Sequence, residues 1–333
     1  MANVKHRTMI GGQAVIEGVM MRGIKTASMS VRTPDGTIVT ENWEVVSARD
    51  KYSFLKLPLL RGIVNFVEML IFGYKTLMRS AELSGLNDEE TDDTKLAVDK
   101  ETIKDTESKT EETVTKDDKK QKTFTTLLMI LSTLVGVGFS ILISVATPTF
   151  ITKQLSYTPF FANMGGLKTL FEGLIRITIF VIYLALVSRL KDIQRVFEYH
   201  GAEHKTIYCY EHNEELTVEN ARKFKRLHPR CGTSFLLIVF VISILVFSMP
   251  FITWDNIPLR MLLHLVLLPF VVGISYEIIK FAGRHDNSVM RFILAPGLWL
   301  QKLTTREPDD SQLEVAIMAL KSVLTDNKED DKW

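Results

Sequence analysis

Four long apolar runs, 124–150, 170–188, 234–254 and 259–281, alternate with segments made almost wholly of charge. Each run is close to the ~20 residues that carry an α-helix across the hydrocarbon core of a bilayer. Soluble cores rarely contain four such runs, so the pattern predicts a mainly α, polytopic membrane helix bundle of about four transmembrane helices. Nine cations separate the second and third runs: Arg189, Lys191, Arg195, Lys205, Arg222, Lys223, Lys225, Arg226 and Arg230. The first connection holds only Lys153 and Lys168. Cationic loops stay on the cytoplasmic side, which predicts a multi-pass protein with both termini and the 189–233 loop in the cytoplasm.

Other periods mark the rest of the chain. Residues 26–47 alternate in strand fashion around Pro34-Asp35-Gly36, a β-hairpin signal. Before it, 11–23 packs four glycines with Glu17 and Arg22 into an apolar stretch, in a spacing that is neither a P-loop nor a dinucleotide fingerprint. A structural turn is the expectation there, with Glu17 and Arg22 kept as site candidates because charges in apolar surroundings need partners. Across 55–83 the polar residues Arg61, Asn65, Glu68, Lys75, Arg79 and Glu82 form one helical stripe. The segment fits an interfacial helix with a solvated stripe, a helix leaning its stripe against the others, or a fifth span, and on a sharper reading Arg61 and Glu68 line the polar cavity that contains the histidines. Residues 87–122 carry too little apolar area to offset chain entropy and read as a disordered linker. Past the last run, 292–303 with Trp299 resembles an interfacial or re-entrant segment, and Ser311 with Glu314 reads as a capping box opening a last amphipathic helix.

The chain therefore divides into an N-terminal segment with glycine-rich motif and small β element (1–52), an amphipathic or membrane-associated helix (53–86), the linker (87–122), two spans (123–188), a cytoplasmic helical loop (189–233), two further spans (234–282), and an interfacial segment with the C-terminal helix (283–333). The formal net charge of +1 excludes a strongly basic nucleic-acid binder, so no nucleic-acid partner is expected. The lipid bilayer is the partner the apolar runs imply. Residues 1–7 are polar with no export-signal pattern after them. Cys209 and Cys231 both fall in the expected cytoplasmic loop and read as free thiols or ligands rather than a disulfide.

The chemistry concentrates in that loop. His200-Gly201-Ala202-Glu203-His204 puts two imidazoles and a carboxylate on one helical face, the H-x-x-E-H arrangement in which the histidines bind zinc and the glutamate acts as base. Gly201 argues against the helix by about 1 kcal/mol, and the same histidines could simply hydrogen-bond in a polar juxtamembrane helix. A tetrahedral ion needs further ligands, and His228 and Cys231 in His228-Pro229-Arg230-Cys231-Gly232-Thr233 are candidates. Two other readings of that hexapeptide stay open: a plain turn capping the next helix, or a phosphate or lipid head-group site at Arg230 and the helix start. Within the runs, Glu172 with Arg176, and Glu277 toward the cytoplasmic end, are costly enough to count as functional candidates.

Four segments, GGQAVIEGVMMRG at 11–23, EYHGAEHK at 198–205, HPRCGTS at 228–234 and LTTREPDD at 303–310, resemble the YqhQ family of bacterial multi-pass membrane proteins. That family is catalogued as a domain of unknown function and labelled a predicted metal-dependent enzyme. The resemblance implies a bacterial cell membrane location and points to His200, Glu203, His204, His228 and Cys231, without a substrate. Two functions are expected. The first is a metal-dependent, hydrolase-like membrane enzyme with a divalent ion, zinc by its ligand types, Glu203 as the catalytic group and a lipid-linked or membrane-peptide substrate. The second is a non-catalytic carrier or assembly factor in which Arg61, Glu68, Glu172, Arg176 and Glu277 line a polar path beside a structural metal or an anion site.

Overall fold

The computed structural model describes residues 6–85, 131–132, 134–140, 142–162, 167–249, 252, 256–285, 287–325, 328 and 330–332. The expected linker at 87–122 lies outside them. Contacts divide the chain into two compact units, Met1–Glu89 with Phe180–Trp333, and Glu90–Ile179.

In the larger unit the N-terminal segment is a four-stranded antiparallel meander, β1 (Gly11–Val15), β2 (Gly18–Arg22), β3 (Thr26–Arg32) and β4 (Ile38–Glu44), in sequence order. The glycine-rich segment, expected as a turn, is thus a hairpin of its own: Val15 pairs with Gly18 across a tight turn that holds Glu17 at φ 51°. Apolar residues fill both faces of the sheet. Val15, Met20, Met29 and Val31 pack with Trp43 against Met69, Phe72 and Leu77 of α1 (Leu60–Leu83). Ile10, Val19 and Met21 pack against Tyr199 and Ala202 of α4 (Lys191–Glu211) and Leu313, Ala316 and Leu320 of α8 (Asp310–Lys321). Alternate residues of β2 therefore serve two different cores, as the two-residue strand period requires. The last helix begins with a capping box from Asp309 and Gln312, not Ser311 and Glu314 as expected, because Asp309 is the residue that stays extended.

Among the described residues three helices are long and apolar enough to cross a membrane: α2 (Leu134–Leu155), α3 (Leu167–Val187) and α6 (Ile257–Arg284, apolar from Pro258). The expected run 234–254 forms α5 (Gly232–Phe247), whose 16 residues at ~1.5 Å each span about 24 Å, short of the ~30 Å hydrocarbon core. α7 (Ser288–Thr304) is a continuous helix through Pro296, with Trp299 exposed, where a re-entrant segment was one expectation. The architecture is a mainly helical bundle with a small sheet. In the smaller unit, Thr149 Oγ1 donates to Glu172 at 2.5 Å, and the Arg176 guanidinium donates to the Ser144 carbonyl at 2.8 Å and reaches Glu172 at 3.4 Å. Both charges are buried and partnered within that unit.

Core position should dominate stability in α8. Leu313→Ala removes a fully buried side chain between sheet and α4 and should cost about 2–5 kcal/mol, whereas Met318→Ala, on the half-exposed side of the same helix, should cost well under half of that. Thermal midpoints of the purified full chain compare the two; equal shifts would contradict this packing.

Candidate metal centre

Helix α4 accommodates Gly201 for a steric reason. A Cβ there would overlap the Arg306 carbonyl oxygen, because the 305–308 segment crosses directly over the helix. The crossing is fixed by the Arg306 amide donating to the Phe197 carbonyl (2.8 Å), its guanidinium donating to the Ser188 carbonyl (3.1 Å), and Lys205 pairing with Glu307. Side chains three and four apart on α4 share a face, so His200, Glu203 and His204 project together, the two imidazole centroids 4.5 Å apart.

Cys231 meets them from a different element. It is the N-cap of α5, and its turn is gripped by Gln301 of α7, which accepts from the His228 amide (2.8 Å) and donates to the His228 carbonyl (2.7 Å) and to Ser234 (3.0 Å). Cys231 Sγ then lies 3.2 Å from His200 Nε2. One nitrogen from each of His200 and His204 and the Cys231 sulfur all fall within 4.8 Å of one another. Donor atoms around a tetrahedral zinc sit roughly 3.5 Å apart, so a small contraction would close the set on an ion.

The hydrogen bonds behind the rings fit the same use. His200 Nδ1 donates to the Thr304 carbonyl at 2.8 Å and His204 Nδ1 to the Arg226 carbonyl at 2.5 Å, which turns both Nε2 atoms toward the sulfur. His204 Nε2 is buried without a protein partner. Backbone carbonyls behind both imidazoles are the usual outer support of metal-binding histidines. Burial would push the Cys231 thiol up, but the facing His200 and His204 rings outweigh it and hold it well below its ordinary value. The helix start adds to this, since the Thr233 amide donates to Sγ at 3.5 Å. Burial would likewise lower His200, yet the facing thiolate, Glu203 and the Thr304 carbonyl raise it to about 9. A thiolate poised between two imidazoles is the soft, charged donor that zinc prefers.

Glu203 stands beside this group as a buried carboxyl. Burial raises its proton affinity above the usual range, opposed by His200 and His204 and by the Gly12 amide, and its Oε2 is buried without a protein partner. A Cβ on Gly12 would lie 2.7 Å from the Met20 carbonyl oxygen of the neighbouring strand and 2.9 Å from the Glu203 carboxyl carbon, which accounts for a glycine at the edge of the sheet.

His228 does not join the three. Its Nδ1 accepts from the Arg230 amide (3.3 Å), so its Nε2–H faces Glu211 at 3.4 Å. Burial, assisted by the charges of Arg230 and His204, lowers its proton affinity to about 4 despite Glu211, so the ring is a neutral structural donor. Glu211 also pairs with Arg230 and accepts from the Thr8 amide at 3.1 Å, and burial, which would raise its pKa, is outweighed by His228 and Arg230. Arg230 is therefore turned inward rather than displayed for a phosphate. The other candidates are placed elsewhere. Glu17 binds Arg195 (2.6 Å) and Tyr199 (3.2 Å), Arg22 reaches Glu68 (3.4 Å), and Glu68 accepts from Ser47 and the Ala48 amide, both at 2.9 Å. Arg61 forms a two-pronged pair with Glu277 at 2.7 and 2.5 Å. Among the described residues these charges close on one another. Sequence reasoning missed Glu211, Gln301, Thr304 and Gly12, although Gln301 lay inside the interfacial segment 292–303 and Thr304 and Gly12 inside the motifs at 303–310 and 11–23.

Membrane-length helices, a small sheet and a buried two-histidine, one-cysteine cluster define the class: a helical protein built around a candidate metal centre. The chain belongs to the family described as "Protein of unknown function (DUF1385)", whose model matches residues 57–326. It is similar to "Uncharacterized protein YqhQ" of Bacillus subtilis (strain 168), 33% identical over 318 residues that cover 94% of this chain and 92% of that one. No solved structure matches it.

Two substitutions test the supports. Gly201→Ala should destabilise the full chain by about 1–3 kcal/mol, although alanine favours helix, because the 305–308 segment must move; a neutral or higher melting midpoint would refute the crossing. Glu211→Leu leaves Arg230 buried without its carboxylate and should cost about 3–5 kcal/mol, measured the same way, with Glu211→Gln milder.

Proposed function

We propose that this chain is a multi-pass membrane protein of the bacterial cell membrane, with its termini and 189–233 on the cytoplasmic side, and that it uses a divalent metal, zinc by its donor set, in hydrolytic chemistry on a membrane-associated substrate. The observation that carries the reading is the convergence of His200, His204 and Cys231 with both Nδ1 atoms already committed to carbonyls. Three protein ligands leave one position of a tetrahedral ion open, the arrangement of catalytic rather than structural zinc. A bound metal there would supply Lewis acidity and lower the pKa of water.

The chain's own groups do the rest. Thr304 and Arg226 orient the imidazoles, Cys231 contributes negative charge, and Glu203 holds or moves a proton at its unpartnered Oε2. A carboxyl raised by burial works nearer neutral pH than an ordinary glutamate, which suits a general base or acid. The cationic 189–233 segment supports the cytoplasmic side, and the start of apolar α5 at Cys231 supports a substrate drawn from the membrane.

Purified full chain should carry about one zinc by elemental mass spectrometry, and Cys231→Ser and His204→Ala should each reduce occupancy at least about tenfold while His228→Gln retains the ion. Cobalt exchanged into the site should give a thiolate charge-transfer band that shifts when azide is added, reporting the open position. Wild-type protein that stays folded but takes up neither zinc nor cobalt would end the proposal.

A further inference from the structure

A second cluster of charge lies where α1 meets α6, and the centre above makes no use of it. The two helices touch through backbone: a Cβ on Gly62 would lie 2.7 Å from the Tyr276 side chain, and one on Gly273 would lie 2.9 Å from the Leu59 carbonyl oxygen. Beside this contact Arg61 grips both oxygens of Glu277. Lys280 and Arg284 follow on successive turns of α6, and Arg49 comes from the short helix Ala48–Lys51. Arg49, Arg61 and Arg284 are all near enough for their charges to act on Lys280, as is the Glu277 carboxylate. Arg7 adds a further cation, donating to the Gly283 carbonyl at 3.2 Å.

Next to these cations the chain exposes apolar side chains that a water-facing surface would bury. Tyr52, Phe54 and Leu57 are 47%, 60% and 56% exposed, in a segment that also carries Lys51 and Lys56. The same character continues along α1, where Val67, Leu70, Ile71 and Tyr74 form an exposed apolar stripe. Its polar residues point elsewhere: Arg61 is spent on Glu277, Glu68 on Ser47 and Ala48, and Arg79 on Glu41 and Glu82. The stripe expected to be a solvated polar face is thus flanked by an uncovered apolar one, the profile of a helix lying at a bilayer surface.

We propose that this corner, Arg49, Lys280 and Arg284 with Tyr52, Phe54 and Leu57, beside the closed Arg61–Glu277 pair, is a binding site for the phosphate head group of an anionic phospholipid. The inference rests on the membrane reading of α6. An acyl boundary at the C-terminal end of a membrane-length helix sets the phosphates at the level of Lys280 and Arg284, while Tyr52, Phe54 and Leu57 sit among the chains below. An acidic soluble peptide would satisfy the cations but leave those three side chains in water, so the lipid is the occupant that matches both halves of the surface.

Full-length protein reconstituted in nanodiscs of equal phosphatidylglycerol and phosphatidylcholine, released gently and weighed by native mass spectrometry, reports which lipid stays bound. Wild type should retain phosphatidylglycerol preferentially, and Lys280→Gln with Arg284→Gln should reduce that preference by about tenfold or more without moving the melting midpoint, since each cation near the surface is worth roughly a few-fold. Phe54→Ser with Leu57→Ser should weaken retention of both lipids alike. Equal retention of the two lipids by wild type, or a preference unchanged in the double cation variant, overturns the proposal. Failure of wild type to enter nanodiscs at all would overturn the membrane reading with it, so the two failures are distinct.

Discussion

Two backbone carbonyls, those of Thr304 and Arg226, decide what His200 and His204 can do. With Nδ1–H committed to a carbonyl, Nε2 is the nitrogen each ring turns to the cluster; on His200 it carries a proton facing the thiolate, and an ion entering there would take that proton's place. Both carbonyls belong to segments remote in sequence from α4, one at the end of α7 and the other in the turn before Cys231. The centre therefore exists only if the 303–308 connection lies flat on α4. The glycine at 201 is what permits that, and the alternative that these histidines are incidental polar groups of a surface helix conflicts with their burial and with the carbonyls behind them.

A second constraint separates the candidate metal centre from a buried charge network within a few ångströms. His204 and His228 have centroids 5.5 Å apart, yet they belong to different networks. His228, Arg230 and Glu211 form a buried set in which one carboxylate answers one fixed cation, and the histidine remains neutral because a second positive charge there would be desolvated and only partly compensated. A low dielectric makes such assignments sharp, since an unpaired charge in it is costly. The same physics lets Cys231 persist as a thiolate between imidazoles, and burial raises Glu203 because it outweighs the opposing His200 and His204 rings.

Much of this was legible in the chain. Apolar run lengths give the membrane-length helices, and the i, i+3, i+4 spacing of His200, Glu203 and His204 gives their common face once α4 is helical. What periodicity cannot reveal is which remote group meets that face. His228 and Cys231 lie three residues apart in one motif and looked equivalent as ligands; the Arg230 amide and Gln301 divide them, and neither contact leaves a trace in spacing. Gly11 and Gly12 read as turn-formers because glycine most often serves turns, whereas Gly12 is in a strand for the sake of its missing Cβ. The α1 stripe showed its charges but not their partners: Glu277, Ser47 and Glu41 come from elsewhere in the chain, while Lys75 and Arg79 stay exposed.

The packing of α5 against α7 and the centre are not separate designs. Cys231 caps α5, and Thr304 ends α7, whose Gly297 lies against Ser234 of α5 so closely that a Cβ would come within 2.6 Å of the hydroxyl. The charge-free helix α5 thereby fixes the sulfur and α7 one of the two carbonyls, while the sheet contributes the Gly12 amide against Glu203. A thiolate at the first turn of an apolar helix gains from the unpaired amides there and is kept from water by the helix that follows. Shifting α5 along its axis would move the sulfur away from both imidazoles at once, so the register of α5 against α7 and the donor geometry are one quantity.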